Sequence, residues 1–205
     1  MPILLSQVTV VVPTKNEAHN IVSFLQSLPE DVSLVVVDAS DDDHAYLTVA
    51  TSYAREYEDP DITGGVWETT NAGIDWTRIT SPDLIRSVND IVIDPFDSEI
   101  LYLAANDHVD WFEKTYGSET WFFPGGVHKS TDGGSTFSII AAMSTQNCPQ
   151  SVGHVDQHVL LYQPGDNNHL WLTNDGGIYE SMDDGIMWSK RSTNLITYQF
   201  YDVCV

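Results

Sequence analysis

Positive charge is scarce in this sequence. Only 8 Lys and Arg stand against 30 Asp and Glu in 205 residues, a formal net charge of −22. Such a chain has little with which to displace the counterions of a phosphate backbone, which excludes a general nucleic-acid binder. The same deficit argues against docking on an anionic membrane. Cysteine is almost absent. Cys148 and Cys204 form no disulfide framework; they allow one bridge or two free thiols, and the free pair is the favoured reading. No apolar run approaches the roughly 18 residues that a membrane-spanning helix needs. The opening, Met1 to Gln7, has no basic region, and Pro13 with Lys15 interrupts the apolar stretch that follows. A signal peptide is therefore not expected, and the chain reads as cytoplasmic.

What is present is a folding composition. A hydrophobic content of 42% with six Trp is too rich for a disordered acidic tail, so the surplus acid must coat a folded surface. That coat fits a halophilic, high-salt cytoplasm where repulsion is screened, a divalent-cation habit, or plain solubility. The length allows one large domain or two small ones.

Two textures divide the chain. Val8 to Val12 is an almost purely apolar, β-branched run, broken by Pro13-Thr14-Lys15-Asn16. Ala18, Ile21, Val22, Leu25 and Leu28 then mark one helical stripe between a capping Asn16 and a terminating Pro29. Leu34 to Val37 is a second apolar strand ending at Asp38. This spacing predicts a Rossmann-like βαβ unit over residues 1–43, with any chemistry at the carboxyl ends of its strands. Beyond residue 44 helical periodicity gives way to short strands, glycine pairs and Asn/Asp turns.

Three boxes repeat there. They run from Gly65 through Thr69, Asn71 and Gly73 to Trp76, from Gly126 through Ser130, Asp132 and Gly134 to Phe137, and from Gly177 through Ser181, Asp183 and Gly185 to Trp188. Each reads Ser/Thr-x-Asp/Asn-x-Gly-x-x-Trp/Phe. A strand precedes each box: Tyr46 to Ala50, Leu101-Tyr102-Leu103 and Leu170-Trp171-Leu172. Pro95 precedes the second strand at the spacing by which Pro164 precedes the third, whereas the first copy shows no upstream half. Short Ser, Thr, Asp and Asn side chains close turns by bonding nearby amides, glycine supplies a positive φ, and the aromatic opens the next strand. Each box is thus a hairpin turn, and each copy predicts an antiparallel sheet of about four strands.

These residues resemble the Asp-box, or BNR, repeats of sialidase-like and sortilin-like β-propellers and of xyloglucanase-type glycosidases. The likeness runs over residues 44–205. It is strongest from His158 to Val203, through Leu170-Trp171-Leu172-Thr173-Asn174-Asp175-Gly176-Gly177 and the tail Tyr198-Gln199-Phe200-Tyr201-Asp202-Val203. The resemblance implies that the boxes are structural and lie on the blade periphery. Val10-Val11-Val12-Pro13-Thr14-Lys15-Asn16-Glu17 and Val35-Val36-Val37-Asp38 instead resemble the start of family-2-type glycosyltransferases of GT-A fold. That likeness implies a nucleotide-sugar site at Pro13, Thr14, Glu17 and Asp38, working with Mg or Mn. The sequence then departs from the family, because Asp41-Asp42-Asp43 sits at the wrong place for its metal motif and no acceptor site or base follows.

Other candidates are weighed beside these. His154, Asp156 and His158 alternate, so on a strand they would share one face, and two imidazoles with a carboxylate suit a transition metal. The plainer reading makes them polar residues at the entry to an inner strand. Asp107, Asp110 and Glu113, with Trp111, Phe112, Tyr116, Trp121, Phe122 and Phe123, form an insertion whose aromatics and carboxylates suit sugar stacking and glycosidic chemistry, or simply packing on a neighbouring blade. Sialidase chemistry is excluded: Arg55, Arg78, Arg86 and Arg191 supply no arginine cluster. Asn71, Asp132 and Asp183 offer oxygens for Ca²⁺, although turn closure explains them without a metal.

The sequence therefore predicts a mainly β chain: about three blades of a partial Asp-box propeller behind a short βαβ start. Propellers close with roughly four to eight blades, so a truncated or fused chain is expected, or one that another chain completes. The leading function is a non-catalytic module that binds a protein or carbohydrate ligand or acts as a scaffold, with no cofactor. The alternatives are a nucleotide-sugar glycosyltransferase and a fragment of a xyloglucanase-like glycoside hydrolase.

Overall fold

The computed structural model describes residues 34–39, 43–50, 64–81, 85, 87–106, 108–109, 122–123, 125–142, 150–152, 154 and 156–194. These residues contain fifteen strands and no helix. Sheet one runs in the order β1 (Leu34–Ala39), β2 (Ala45–Ala50), β3 (Gly65–Thr69) and β4 (Thr77–Arg78), all antiparallel. Then come β5 (Val88–Ile93), β6 (Leu101–Ala105), and a small separate ribbon of β7 (His108–Val109) with β8 (Phe122–Phe123). Next are β9 (Gly126–Ser130), β10 (Ser138–Ala142) and β11 (Gln150–Ser151); sheet two is ordered β11-β10-β9-β6-β5. Sheet three is β12 (Gln157–Gln163), β13 (Asp166–Asn174), β14 (Gly177–Ser181) and β15 (Ser189–Lys190).

One register recurs in the three sheets. Tyr46 lies opposite Glu68, Tyr102 opposite Lys129 and Trp171 opposite Glu180. The box Ser or Thr lies opposite the preceding residue of each second strand: Thr69 on Ala45, Ser130 on Leu101, Ser181 on Leu170. Because side chains alternate along a strand, equal registers send equal positions to equal faces.

That alternation makes two cores. Leu101, Leu103 and Ala105 of β6 point to sheet one and pack with Tyr46, Val66, Val88 and Ile91. Tyr102 and Ala104, the intervening residues, point to sheet three and pack with Val127, Leu160, Leu170, Leu172 and Trp188. The middle sheet is therefore apolar on both faces, and each buried leucine side chain contributes about 1.5–3 kcal/mol to holding the stack.

The structure corrects the reading of the N-terminal unit. Leu34–Ala39 is not described as the parallel partner of a βαβ fold. It pairs antiparallel with β2 along its whole length, from Leu34 opposite Ala50 to Ala39 opposite Ala45. An apolar β-branched run reads alike whichever way its neighbour runs, and the short link to β2 is a hairpin connection, far below the dozen or more residues of a crossover. β1 is the upstream strand that the first copy lacks in sequence, and its hairpin spans the boundary expected at residues 43 and 44. The described residues give the βαβ unit no support; Val8 to Val12, the stripe from Ala18 to Leu28, and Pro13, Thr14 and Glu17 lie outside them. A second difference is β11, which pairs parallel with β10 (Ala141 opposite Gln150) where only antiparallel pairing is expected.

Candidate functional site

The three boxes fold into one hydrogen-bonded pattern. In the first, the Thr69 hydroxyl donates to Asn71 Oδ1 (2.9 Å) and accepts the Gly73 amide (2.9 Å), while Asn71 Oδ1 also accepts the Asp75 amide (2.9 Å). In the second, Ser130 donates to Asp132 Oδ1 (2.8 Å) and accepts from Gly134 (2.9 Å), and Asp132 Oδ1 accepts from Thr136 (2.8 Å). In the third, Ser181 donates to Asp183 Oδ1 (2.9 Å) and accepts from Gly185 (2.9 Å), and Asp183 Oδ1 accepts from Met187 (2.8 Å). Oδ1 of the box Asn or Asp takes two donors in every box. In the second box the Thr136 hydroxyl also occupies Asp132 Oδ2 (2.6 Å). The hydroxyl and then the amide of Thr136, followed by the Ser130 hydroxyl, hold the Asp132 carboxyl below the usual carboxylate range.

Two successive residues in each box adopt the left-handed conformation: Ala72 and Gly73, Gly133 and Gly134, Asp184 and Gly185. The first of each pair need not be glycine. The second is glycine each time, and in the second and third boxes the neighbouring sheet comes close as well. A Cβ on Gly134 would lie 2.7 Å from Ile79 Cδ1, and one on Gly185 2.7 Å from Ile140 Cδ1. Ile79 and Ile140 follow the preceding box at the same offset. The aromatic that closes each box directly precedes a strand, and Trp188 is buried with its indole N–H on the Gly185 carbonyl (3.1 Å).

Each box loop fastens to its own sheet, and the second and third fasten to the preceding sheet too. The amides of Ala72, Gly133 and Asp184 donate to the carbonyls of Asp43 (2.9 Å), Glu99 (3.0 Å) and Asn168 (2.8 Å), closing the loop over the start of its own second strand. The Tyr46 hydroxyl of sheet one reaches the Gly133 carbonyl (3.3 Å) of the next box. Tyr102 of sheet two reaches the equivalent Asp184 carbonyl (2.8 Å), and its single proton is shared with the Asp184 carboxylate. The other oxygen of that carboxylate pairs with Lys129, whose ammonium lies 5.0 Å from the Tyr102 ring centroid. Nearby, buried Asp94 accepts the amides of Phe96 (2.7 Å) and Asp97 (3.2 Å) and faces Asn167 Nδ2 (3.3 Å) and the Tyr162 hydroxyl (3.5 Å) across the junction. Burial, reinforced by these carboxylates, pushes both phenols well above their ordinary range.

The sequence missed several of these residues. Thr80 and Ser192 accept the amides of Val66 (2.9 Å) and Ile178 (3.1 Å) at one offset from their boxes; Ala141 occupies that place in the second copy, which hides the repeat. The hydroxyls of Tyr46 and Tyr102 stand in an aromatic position that the repeat shows, but their targets lie in the next copy.

The remaining candidates are described only in part. His154, Asp156 and His158 do not share a strand face: β12 begins only at Gln157, and Asp156 takes a left-handed φ of 59°, which breaks the alternation. His158 Nε2 lies 2.6 Å from Asp175 Oδ1 instead, and no group of three or more His, Cys, Asp or Glu converges among the described residues. Asp38 sits opposite Tyr46 in β1, while its three expected companions lie outside the described residues. Of the insertion, His108–Val109 pairs with Phe122–Phe123, and its Asp107, Asp110 and Glu113 lie outside. Both cysteines and the tail from Tyr198 lie outside as well. Among the described residues no helix is long and apolar enough to cross a membrane.

With this geometry in view, the fold finds counterparts among solved structures. The GH74 enzyme of Niastella koreensis superposes with a TM-score of 0.52 at 15% identity, over 80% of this chain and 23% of that one. The GH74 xyloglucanase of Xanthomonas campestris gives 0.48 at 18% identity, over 79% and 23%. YCF48 from Cyanidioschyzon merolae gives 0.42 at 19%, over 75% and 35%. No family model and no curated protein sequence matches the chain. The architecture is thus of the β-propeller type, and the chain spans less than a quarter of the length of the two GH74 enzymes.

Proposed function

We propose that this chain is a non-catalytic propeller-type repeat module that binds a protein or carbohydrate ligand or serves as a scaffold. The single observation that supports this reading is the consumption of the box polar groups in fastening turns and sheets. The hydroxyls of Thr69, Ser130 and Ser181 and the Oδ1 atoms of Asn71, Asp132 and Asp183 are all spent on the loop that holds them. In this reading the twelve box positions, from Thr69 to Trp188, are structural, and function resides in the surfaces that the stack presents.

The test is incubation of the purified protein with xyloglucan and, separately, with a panel of nucleotide sugars and Mn²⁺. The expected outcome is no release of reducing ends or of nucleoside diphosphate above the buffer rate. Xyloglucan hydrolysis lost in Asp107→Asn or Glu113→Gln would establish the glycosidase reading instead. Nucleoside-diphosphate release lost in Asp38→Ala would establish the transferase.

A further inference from the structure

The three boxes share one turn, so each is a control for the side chains of the others. Three positions of the loop are exposed in every box: Thr70, Ile74 and Asp75 in the first, Thr131, Ser135 and Thr136 in the second, Met182, Ile186 and Met187 in the third. The second box closes the same turn with polar residues at all three, so the turn does not call for apolar ones. The third box carries apolar residues at all three, 65%, 67% and 61% exposed. That exposure belongs to the loop itself. The first and second boxes are each followed by a further sheet, and the same positions stay exposed there. On the turn of sheet two that reaches Asn167 through Asp94 (3.3 Å), Phe96 is 70% exposed as well. The surroundings are acidic. Asp166 accepts the Asn168 amide (3.0 Å), and the Asn168 carbonyl accepts the Asp184 amide of the third box. Asp184 is paired with Lys129, but no cation pairs with Asp97, Asp166 or Asp183 among the described residues.

We infer that the third box loop, with Phe96 beside it, docks a basic amphipathic segment of a partner protein. The inference rests on the reading of the chain as a binding module and supplies the chemistry of its partner. Exposed apolar side chains at positions that the fold leaves free to be polar select an apolar face. The unpaired carboxylates around them select Lys and Arg at its margins, and the net charge of −22 steers such a cation inward. Methionine is unbranched and polarisable, so Met182 and Met187 adapt to the shape of the apolar face that they meet. A second copy of this chain and an anionic membrane both carry the wrong charge for this surface.

The experiment titrates the full chain into a labelled amphipathic helical peptide of Leu and Lys, followed by fluorescence anisotropy, with a Leu/Glu and a Ser/Lys peptide as controls. The expected result is binding of the Leu/Lys peptide that weakens with KCl without vanishing, about tenfold weaker binding of Ser/Lys, and none of Leu/Glu. Met182→Thr, Ile186→Ser and Met187→Thr together give the third box the types of side chain that the second carries and leave the charge unchanged. That variant should bind the Leu/Lys peptide about tenfold or more weakly, with unaltered circular dichroism, and Phe96→Ser should show a smaller loss. In the wild type with methyl-labelled methionine, the Met182 and Met187 signals should move on peptide addition. Absence of binding, equal affinity for the two Lys peptides, an unchanged affinity in the triple variant or unmoved Met182 and Met187 signals each overturn the inference. In the second and third cases the acidic coat alone attracts the peptide. Turnover of xyloglucan or of a nucleotide sugar would instead overturn the module reading, whereas a chain with neither turnover nor peptide binding loses this inference alone.

Discussion

The two sheet junctions share one frame and differ in chemistry. At the first, Tyr46 reaches the carbonyl of Gly133, and the residue opposite Tyr46, Glu68, bonds His44 of its own sheet (2.7 Å). At the second, Tyr102 reaches the carbonyl of Asp184, and the residue opposite it, Lys129, crosses the junction to the Asp184 carboxylate. One left-handed box position thus carries glycine at one junction and aspartate at the other, and aspartate is among the few residues that tolerate that conformation. The stacking is fixed by the backbone of the loop. The side chain at that position decides only whether the junction carries charge.

The strongest way to break the comparison is to attack the shared frame. Gly134→Val and Gly185→Val each add a side chain at positive φ and 2.7 Å from an isoleucine of the preceding sheet. Each is expected to cost about 3–5 kcal/mol in chemical denaturation, and by similar amounts if the frames are equivalent. A loss confined to one of them would dissolve the equivalence.

Salt acts next, and on the whole molecule. Self-repulsion at −22 opposes compaction, so thermal melts should shift upward as KCl rises. A melting temperature flat from low to molar salt would remove the high-salt interpretation of the acidic coat. The Lys129–Asp184 pair responds with the opposite sign, since the same screening weakens it. In a double-mutant cycle of Lys129→Met with Asp184→Asn, we expect a coupling of about 1 kcal/mol or less, discounted because Asp184 is part-exposed, and smaller at high salt. The equivalent cycle at Glu68 and Gly133→Asn should show none.

The smallest effect sharpens the box itself. Asp132 has its folded-state pKa depressed, so its contribution is complete above the unfolded value of about 4 and is lost as pH falls through the folded value. Melting temperature followed downward from pH 5 should therefore fall less steeply in Asp132→Asn than in the wild type. Identical acid slopes would mean that the box carboxylate adds nothing beyond its neutral amide, as the natural Asn71 of the first box would then also imply.

The boxes were legible because their chemistry is local. A hydroxyl, a carboxylate and a glycine within a few residues dictate one turn, whatever surrounds it. The strand Leu34–Ala39 was not, because its apolar side chains report burial and say nothing of the direction of the neighbouring strand. The His154, Asp156 and His158 spacing presumes a strand, whereas β12 begins at Gln157 and Asp156 takes a left-handed φ, which spacing does not encode. Tyr46 and Tyr102 were visible as a repeated aromatic; that their hydroxyls serve the following copy depends on how sheets stack. Thr80 and Ser192 were concealed by the one alanine that replaces them in the middle copy.

The shared fastening of the box loops has a consequence for how the molecule comes apart. The Gly133 and Asp184 loops are each tied by an amide to their own sheet and by a carbonyl to the sheet before. A sheet that opens therefore releases its neighbour's clasp, and the stack behaves as a short one-dimensional array in which disorder spreads between adjacent members. Sheet two is gripped on both sides. Sheet three is gripped by sheet two, and the aromatic in its own clasp position, Trp171, is turned to Gln163 instead. Among the described residues sheet three shares one junction where sheet two shares two, so native-state deuterium uptake ought to reach the amides of Gly185 and Met187 before those of Gly134 and Thr136.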